Sequence, residues 1–300
     1  LKEHPVDAIV STGPPHSMHL IGQRLSHDLD IPWISDFRDP WTKMYWFKNM
    51  GLTKWAQKKH FSLEQKVLDA STVVLTVTPS VCRDMKARTS TPVAMITNGY
   101  DESDFEQRVE QDGMFNIVHT GIFPSDGNPE ALWKVLQDLC HEDSEFDEKL
   151  RIRLVGTTDK AVKDSIAAHS LESKVIDRGY QNHAEAVKEQ MAASLLLLPL
   201  RDDPDYKPIL PGKLFEYLAS RRPVLGFGQE DGAMAEVIAE AKAGSVVPFS
   251  DEDAIRNFIL EQWSIYSRGD QNTISSDIEK YSRKSLAKDM ADLLDSIIKE

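Results

Sequence analysis

The sequence predicts an α/β protein built as two successive doubly wound layers, and three observations predict it. Short apolar strands alternate with amphipathic helices along the 300 residues, the order that produces parallel sheets with helices on both faces. A polar, acidic stretch at 101–113 interrupts the alternation and divides it into two blocks. The chain also begins at Leu1 without a methionine and enters a strand almost at once. An N-terminal portion is therefore expected to be absent and the first layer incomplete.

In the first block, strands are expected at Ala8–Ser11, Trp33–Ser35, Val73–Val77 and Ala94–Ile96. Between them lie helical patterns at Met18–Leu29, Lys54–Leu68 and Ser80–Arg88. The second block gives strands at Phe115–His119, Arg151–Val155, Val175–Asp177, Leu195–Leu198, Val224–Gly226 and Ser245–Val247. Its helices are expected at Pro129–His141, Ala161–His169, Ala184–Ala192, Lys213–Ser220, Ala233–Glu240 and Asp251–Tyr266. A final helix, Ser282–Ile298, carries Leu286, Met290, Leu293, Leu294 and Ile297 at helical spacing. The expected division is 1–108, 109–275 and a C-terminal helix within 276–300.

Composition narrows the function. The chain is 41% hydrophobic and 28% charged, as in ordinary soluble globular proteins. No apolar run approaches the roughly 20 residues needed to span a bilayer. A net charge of −13 argues against a nucleic-acid partner, which needs a basic face, but leaves room for a local basic pocket. Cys82 and Cys140 are far apart and lack metal-ligand spacing, so they read as reduced thiols of a cytoplasmic protein.

Ligands of doubly wound sheets bind beyond the carboxyl ends of the strands, which directs attention to five loops. Pro211-Gly212-Lys213-Leu214-Phe215-Glu216 places a Gly-Lys pair where a helix begins and a glutamate one turn in. Unpaired amides and partial positive charge at a helix start suit a phosphate, Lys213 adds a full charge, and Glu216 lies within reach of sugar hydroxyls. In Ser11-Thr12-Gly13-Pro14-Pro15-His16-Ser17, His16 or Ser17 either caps a rigid turn or touches a substrate. In Asp36-Phe37-Arg38-Asp39-Pro40-Trp41, Arg38 and Asp39 form either an ion pair that orders the loop or a clamp on an anion and a hydroxyl. Asn98-Gly99 is a turn signal. In His119-Thr120-Gly121, the glycine allows a ligand to approach the backbone. The chain carries no Ser-His-Asp set, no Walker lysine motif and no His/Cys cluster with metal spacing. His60, His169 and His183 default to structural or surface roles.

Taken together, two tandem blocks, an Asn-Gly-x-Asp turn closing the first, and a Pro-x-Lys-x-x-Glu-Tyr-x-Ala segment late in the second resemble GT-B glycosyltransferases. The similarity is greatest to family 4, the retaining enzymes of bacterial surface polysaccharide synthesis. The resemblance implies two Rossmann-like domains facing across a cleft that closes on donor binding, with the final helix crossing back to the first. It implies a hexosyltransferase that takes a UDP- or GDP-sugar as substrate, needs no metal or cofactor, and passes the sugar to a glycan or lipid-linked acceptor with retention. Thr120 and Gly121 would meet the donor diphosphate, Gly212 and Lys213 would neutralise it, and Glu216 would bind the ribose. Gly179 and Tyr180 would lie near the base, and Arg38, Asp39 and His16 would face the acceptor or the transferred sugar. Lipid-linked acceptors extend the expectation to peripheral association with the inner face of the membrane.

The sequence departs from the family in three places. Family 4 often carries a second glutamate eight residues before the first, and here that position is Pro208. The loop Pro124-Ser125-Asp126-Gly127-Asn128 lacks the basic residue often found there, and Asp126 would repel a diphosphate. The absent N-terminal portion would carry the family's Gly-rich first loop, so this chain is expected to bind a donor yet turn over poorly. Two alternatives follow: a nucleotide-sugar 2-epimerase, for which no acid/base set can be assigned, and a non-catalytic nucleotide-sugar-binding or scaffold protein.

Overall fold

A computed structural model describes residues 4–44, 46–270 and 278–298. The chain forms two compact units, Leu1–Gly99 with Arg283–Glu300 and Tyr100–Ser282, each taken over its described residues. The expected boundary at 275/276 lies outside the described residues.

In the first unit, β1 (Ile9–Gly13), β2 (Trp33–Phe37), β3 (Val73–Thr76) and β4 (Val93–Met95) pair in parallel in that order. The helices α1 (Met18–Leu29), α2 (Lys54–Ala70) and α3 (Pro79–Arg88) connect them. Local chemistry sets the helix starts: Thr53 accepts from the Ala56 amide, and Thr78 accepts from that of Val81 with Pro79 at the first position. Alternation along the strands sends Trp33, Phe37 and Val74 to one face with Val67, Leu68 and Met85. Ile34, Val73 and Leu75 go to the other, where Met290, Leu293, Leu294 and Ile297 of the C-terminal helix Arg283–Ile297 pack against them.

Two histidines belong to this core. His19 stacks on Phe37 at a centroid distance of 4.4 Å, and His16 lies against Trp41 at 5.4 Å. Ser11 Oγ accepts from Trp33 Nε1 (2.8 Å) and shares a second hydrogen bond with His19 Nδ1 (2.9 Å). Burial pulls both imidazoles down to about 4, offset at His16 by Glu64 and reinforced at His19 by His16. Glu64, fully buried, is held by Arg88 Nη2 (2.7 Å) and Thr42 Oγ1 (2.5 Å).

The second unit has six parallel strands in the order β10-β9-β8-β5-β6-β7. These are β5 (Phe115–Thr120), β6 (Leu150–Val155), β7 (Val175–Gly179), β8 (Leu195–Pro199), β9 (Val224–Phe227) and β10 (Gly244–Val247). Its helices are α4 (Glu130–Glu142), α5 (Ser144–Lys149), α6 (Lys160–Ala168), α7 (His183–Met191), α8 (Lys213–Ala219), α9 (Ala233–Glu240) and α10 (Glu252–Ser267). Phe115, Ile117, Leu195 and Leu197 face a layer containing Trp133, Phe146 and Trp263. Val118, Leu196 and Leu198 face another built on Leu214, Phe215, Leu218 and Met234. Helix α5 is absent from the sequence expectation; Asp143 creates it by accepting from the amides of Glu145 and Phe146 (2.9 and 3.1 Å). Among the described residues, no helix is long and apolar enough to cross a membrane.

Two outcomes test this packing. Gly244 has φ +146°, and a Cβ there would sit 1.9 Å from the Val224 carbonyl oxygen. Gly244→Ala is expected to cost on the order of 3 kcal/mol in urea unfolding. For the histidines, the folded chain binds protons near pH 4 and the unfolded chain near 6.5. Their contribution is thus full above 6.5 and lost as pH falls through the window to 4. The melting temperature should fall less steeply across that window in His16→Phe than in the wild type; identical slopes would exclude His16 as a source.

Candidate functional site

β5 keeps its partner β6 as far as Thr120, but it pairs with β8 only at Ile117 and Val118. The two strands lie at the point where the strand order reverses and then diverge, leaving a gap at their carboxyl ends. The Thr120 backbone faces that gap, since the next amide, Gly121, turns to the Val155 carbonyl on β6 (2.7 Å). Side chains from α8 take the place of the missing ladder. Tyr217 Oη accepts from the Thr120 amide (2.9 Å) and reaches the Leu197 carbonyl on β8 at 3.5 Å. Burial pushes this phenol up to about 12, so it serves as a neutral hydroxyl. The Thr120 carbonyl accepts from Lys213 Nζ (2.9 Å).

Lys213 Nζ also donates to His119 Nε2 at 3.0 Å. An imidazole that accepts from an ammonium through Nε2 carries its proton on Nδ1. Burial, and then the Lys213 charge, holds the His119 ring well below the ordinary histidine range. Burial in turn pulls Lys213 down to about 8, against the opposing pull of Glu216. Gly121 lies beneath the ammonium with φ +94°, and a Cβ on it would stand 3.6 Å from Nζ. The neighbouring Gly156 has φ +124°, and a Cβ there would sit 2.2 Å from the Gly121 carbonyl oxygen. The ends of β5 and β6 therefore present bare backbone next to a cation.

Glu216 lies one turn along α8, and its Oε2 accepts from Gln190 Nε2 at 3.1 Å. Two of the amides at the helix start are already paired. Leu214 N is bonded to the Pro211 carbonyl (3.0 Å) and Phe215 N to that of Gly212 (3.2 Å), because Gly212 is already helical. The formal positive charge at this end is the Lys213 ammonium. Gly179 closes β7, and Tyr180 beyond it is 86% exposed.

The structure thus brings Thr120, Gly121, Lys213 and Glu216 together and sets Gly212 directly before the lysine. His16, Arg38 and Asp39 are in the first unit, at the ends of the adjacent strands β1 and β2. His16 is only 6% exposed, and both its ring nitrogens are without a partner among the described residues. The ion-pair alternative for Arg38 and Asp39 is not what forms: the exposed guanidinium donates instead to Asn98 Oδ1 of the Asn-Gly turn. Burial raises the Asp39 carboxyl above its usual range, and Arg38 partly offsets this.

Some contributors were not read from the sequence. Arg201, following β8, pairs with Asp126 at 3.0 Å, so the carboxylate expected to repel a diphosphate has a guanidinium beside it. His119 and Gln190 left only faint signals, a polar residue closing an apolar strand and a glutamine in phase with Val187 on the buried side of α7. Among the described residues, no group of three or more His, Cys, Asp or Glu is placed to hold a metal ion.

Comparison with known proteins places these features. No curated protein matches the chain in sequence. Among solved structures, sucrose-phosphate synthase from Thermosynechococcus elongatus superposes with a TM-score of 0.69 at 15% identity, covering 97% of this chain and 73% of that one. The Anabaena protein HepE, in complex with UDP and glucose, gives 0.67 at 14% identity, covering 98% and 79%. The UDP-forming α,α-trehalose-phosphate synthase of Burkholderia xenovorans, in complex with glucose-6-phosphate, gives 0.62 at 10% identity, covering 96% and 74%. These likenesses show the fold, α/β with parallel sheets of the GT-B type. Residues 115–264, from β5 into α10, match the family described as glycosyl transferases group 1, and the chain belongs to that family.

Proposed function

We propose that the chain moves a hexose from a UDP- or GDP-sugar to a glycan or lipid-linked acceptor, with retention and without a metal, in cell-surface polysaccharide synthesis. The observation that carries this reading is the Lys213 ammonium, fixed over the bare backbone of Gly121 by His119 and the Thr120 carbonyl. Two of its three protons are committed there, and the third is available to a diphosphate oxygen. Gly121 and Gly156 let that diphosphate approach the strand ends, Glu216 accepts from ribose hydroxyls, and Tyr180 offers its ring to the base. HepE, of similar fold, was solved with UDP and glucose. That supports a uridine nucleotide here.

In the reaction, the bond between the anomeric carbon and the diphosphate oxygen breaks, and an acceptor hydroxyl bonds to the same face of the sugar. Its proton passes to the departing phosphate oxygen. The charge that develops on the leaving group is stabilised by Lys213, a donor already in place before the reaction. Arg38, Asp39 and His16 are assigned to the acceptor side, with Arg38 as its exposed cation.

A panel of UDP-, GDP- and dTDP-sugars tests the reading, scoring binding first and then hydrolysis or transfer. Failure of every nucleotide to bind would overturn it, and binding without turnover in the presence of lipid-linked and glycan acceptors would favour a binding protein. Lys213→Ala and Glu216→Ala should each weaken donor binding by about 1.5–3 kcal/mol, the value of a hydrogen bond to a charged group. Unchanged affinity in both would remove the assignment. A pH series gives a separate check. Lys213 is charged below about 8 and neutral above it, so donor affinity should decline between pH 7 and 9 in the wild type and stay flat in Lys213→Met.

A further inference from the structure

Gln190 is a buried amide that contacts Glu216. It is 1% exposed on α7, and its Nε2 donates to Glu216 Oε2 at 3.1 Å and to Thr120 Oγ1 at 3.2 Å. The orientation is fixed by chemistry: an ionised carboxylate only accepts, so the nitrogen must face it. Both amide protons are then spent, and Oε1 is left buried without a partner among the described residues. A buried acceptor without a partner is costly, a cost set against the two bonds that the amide nitrogen makes.

Building on the donor-site reading above, we infer that Gln190 is the positioning residue that fixes the Glu216 carboxylate for the ribose hydroxyls. A glutamate one turn into a helix ordinarily samples several rotamers. Here Oε2 is anchored to Gln190, while Oε1 makes no hydrogen bond among the described residues and is free for a ligand hydroxyl. A neutral amide suits this task. An arginine or lysine would form an ion pair with Glu216 and weaken it as an acceptor, whereas Gln190 leaves the full negative charge in place. The second bond ties the same amide to Thr120, so the carboxylate is registered against the strand end that also carries Lys213.

The test titrates UDP and 2′,3′-dideoxy-UDP, with GDP and its dideoxy analogue in parallel, into wild type, Glu216→Gln, Gln190→Leu and Gln190→Glu. Melting temperatures are recorded for each. Gln190→Leu should weaken the hydroxylated nucleotide about tenfold, the cost of leaving a rotamer-rich side chain for the ligand to immobilise. It should bind the dideoxy analogue as the wild type does. Gln190→Glu, of nearly the same size, places a second carboxylate against Glu216; like charges at that distance raise a carboxyl's proton affinity. Relative to wild type, its affinity should be poor at pH 7.5 and recover towards pH 5.5, as one shared proton restores the hydrogen bond. Should Gln190→Leu fail to fold, Gln190→Glu decides alone. Weak binding of both analogues alike, or a variant-to-wild-type ratio constant with pH, would overturn the inference. If Glu216→Gln retains wild-type affinity and discrimination, the ribose assignment itself falls. If the wild type binds neither nucleotide, the donor-site reading falls, and the inference with it.

Discussion

At the carboxyl end of β5, the Thr120 amide and carbonyl face a gap that the sheet cannot fill, and the site grows from that constraint. β5 and β8 part after Val118, at the point where the chain reverses its winding direction. Buried backbone groups must be paired, so the pairing passes to side chains. Tyr217 supplies a hydroxyl that spans the gap from Thr120 to Leu197, and Lys213 supplies a donor to the Thr120 carbonyl. Both are on α8, four residues apart, so one helical turn satisfies both orphan groups. The cation at the strand end is therefore part of the sheet's own hydrogen-bond accounting and is in place before any ligand arrives.

The electrostatics follow from the same geometry. Lys213 is held by a carbonyl and a neutral imidazole, two dipoles without formal charge, so its positive charge is not cancelled by an ion-pair partner in direct contact. Burial of such a cation disfavours its charged form, which is why the group is pulled to about 8. An anion placed against it would reverse that penalty. By contrast, Arg201 is paired with Asp126, and Arg153 is paired with Glu189 and Asp112. A chain with a net charge of −13 can thus present a strong local attraction for an anion without a broad basic surface.

What the sequence disclosed and what it hid divide along locality. The strands of both sheets and the long helices are visible because burial on both faces makes strands into continuous apolar runs and helices into stripes. Lys213 and Glu216 are visible because they share one turn with a Pro-Gly start. Helix α5 depends on the capping bonds of Asp143, a single-residue signal, and so it escapes a periodicity reading. Arg201 meets Asp126 across 74 intervening positions, and Arg38 turns to Asn98 and not to its neighbour Asp39, because strand ends adjacent in space are distant in sequence. The helix-start amides illustrate a different limit. Whether they are free depends on the backbone angles of Gly212, and a glycine's sequence does not disclose its angles.

The same division separates the constrained strand ends from the segment around Pro208. The strand-end part of the site is built on groups that the sheet itself requires: Thr120 must be satisfied, Gly156 must lack a Cβ, and Tyr217 must fill the gap. None can change without an unpaired buried group or a clash. The segment around Pro208 carries no such obligation. It is shaped by its own turns, with the Tyr206 amide on the Asp203 carbonyl (2.9 Å) and the Ile209 amide on that of Tyr206 (2.9 Å), and by the Ala233 amide on the Lys207 carbonyl (2.9 Å). Those bonds are made by backbone atoms, so a proline in place of a glutamate costs the fold little. Variation around Pro208 is therefore cheap for the fold, and variation at the strand ends is not.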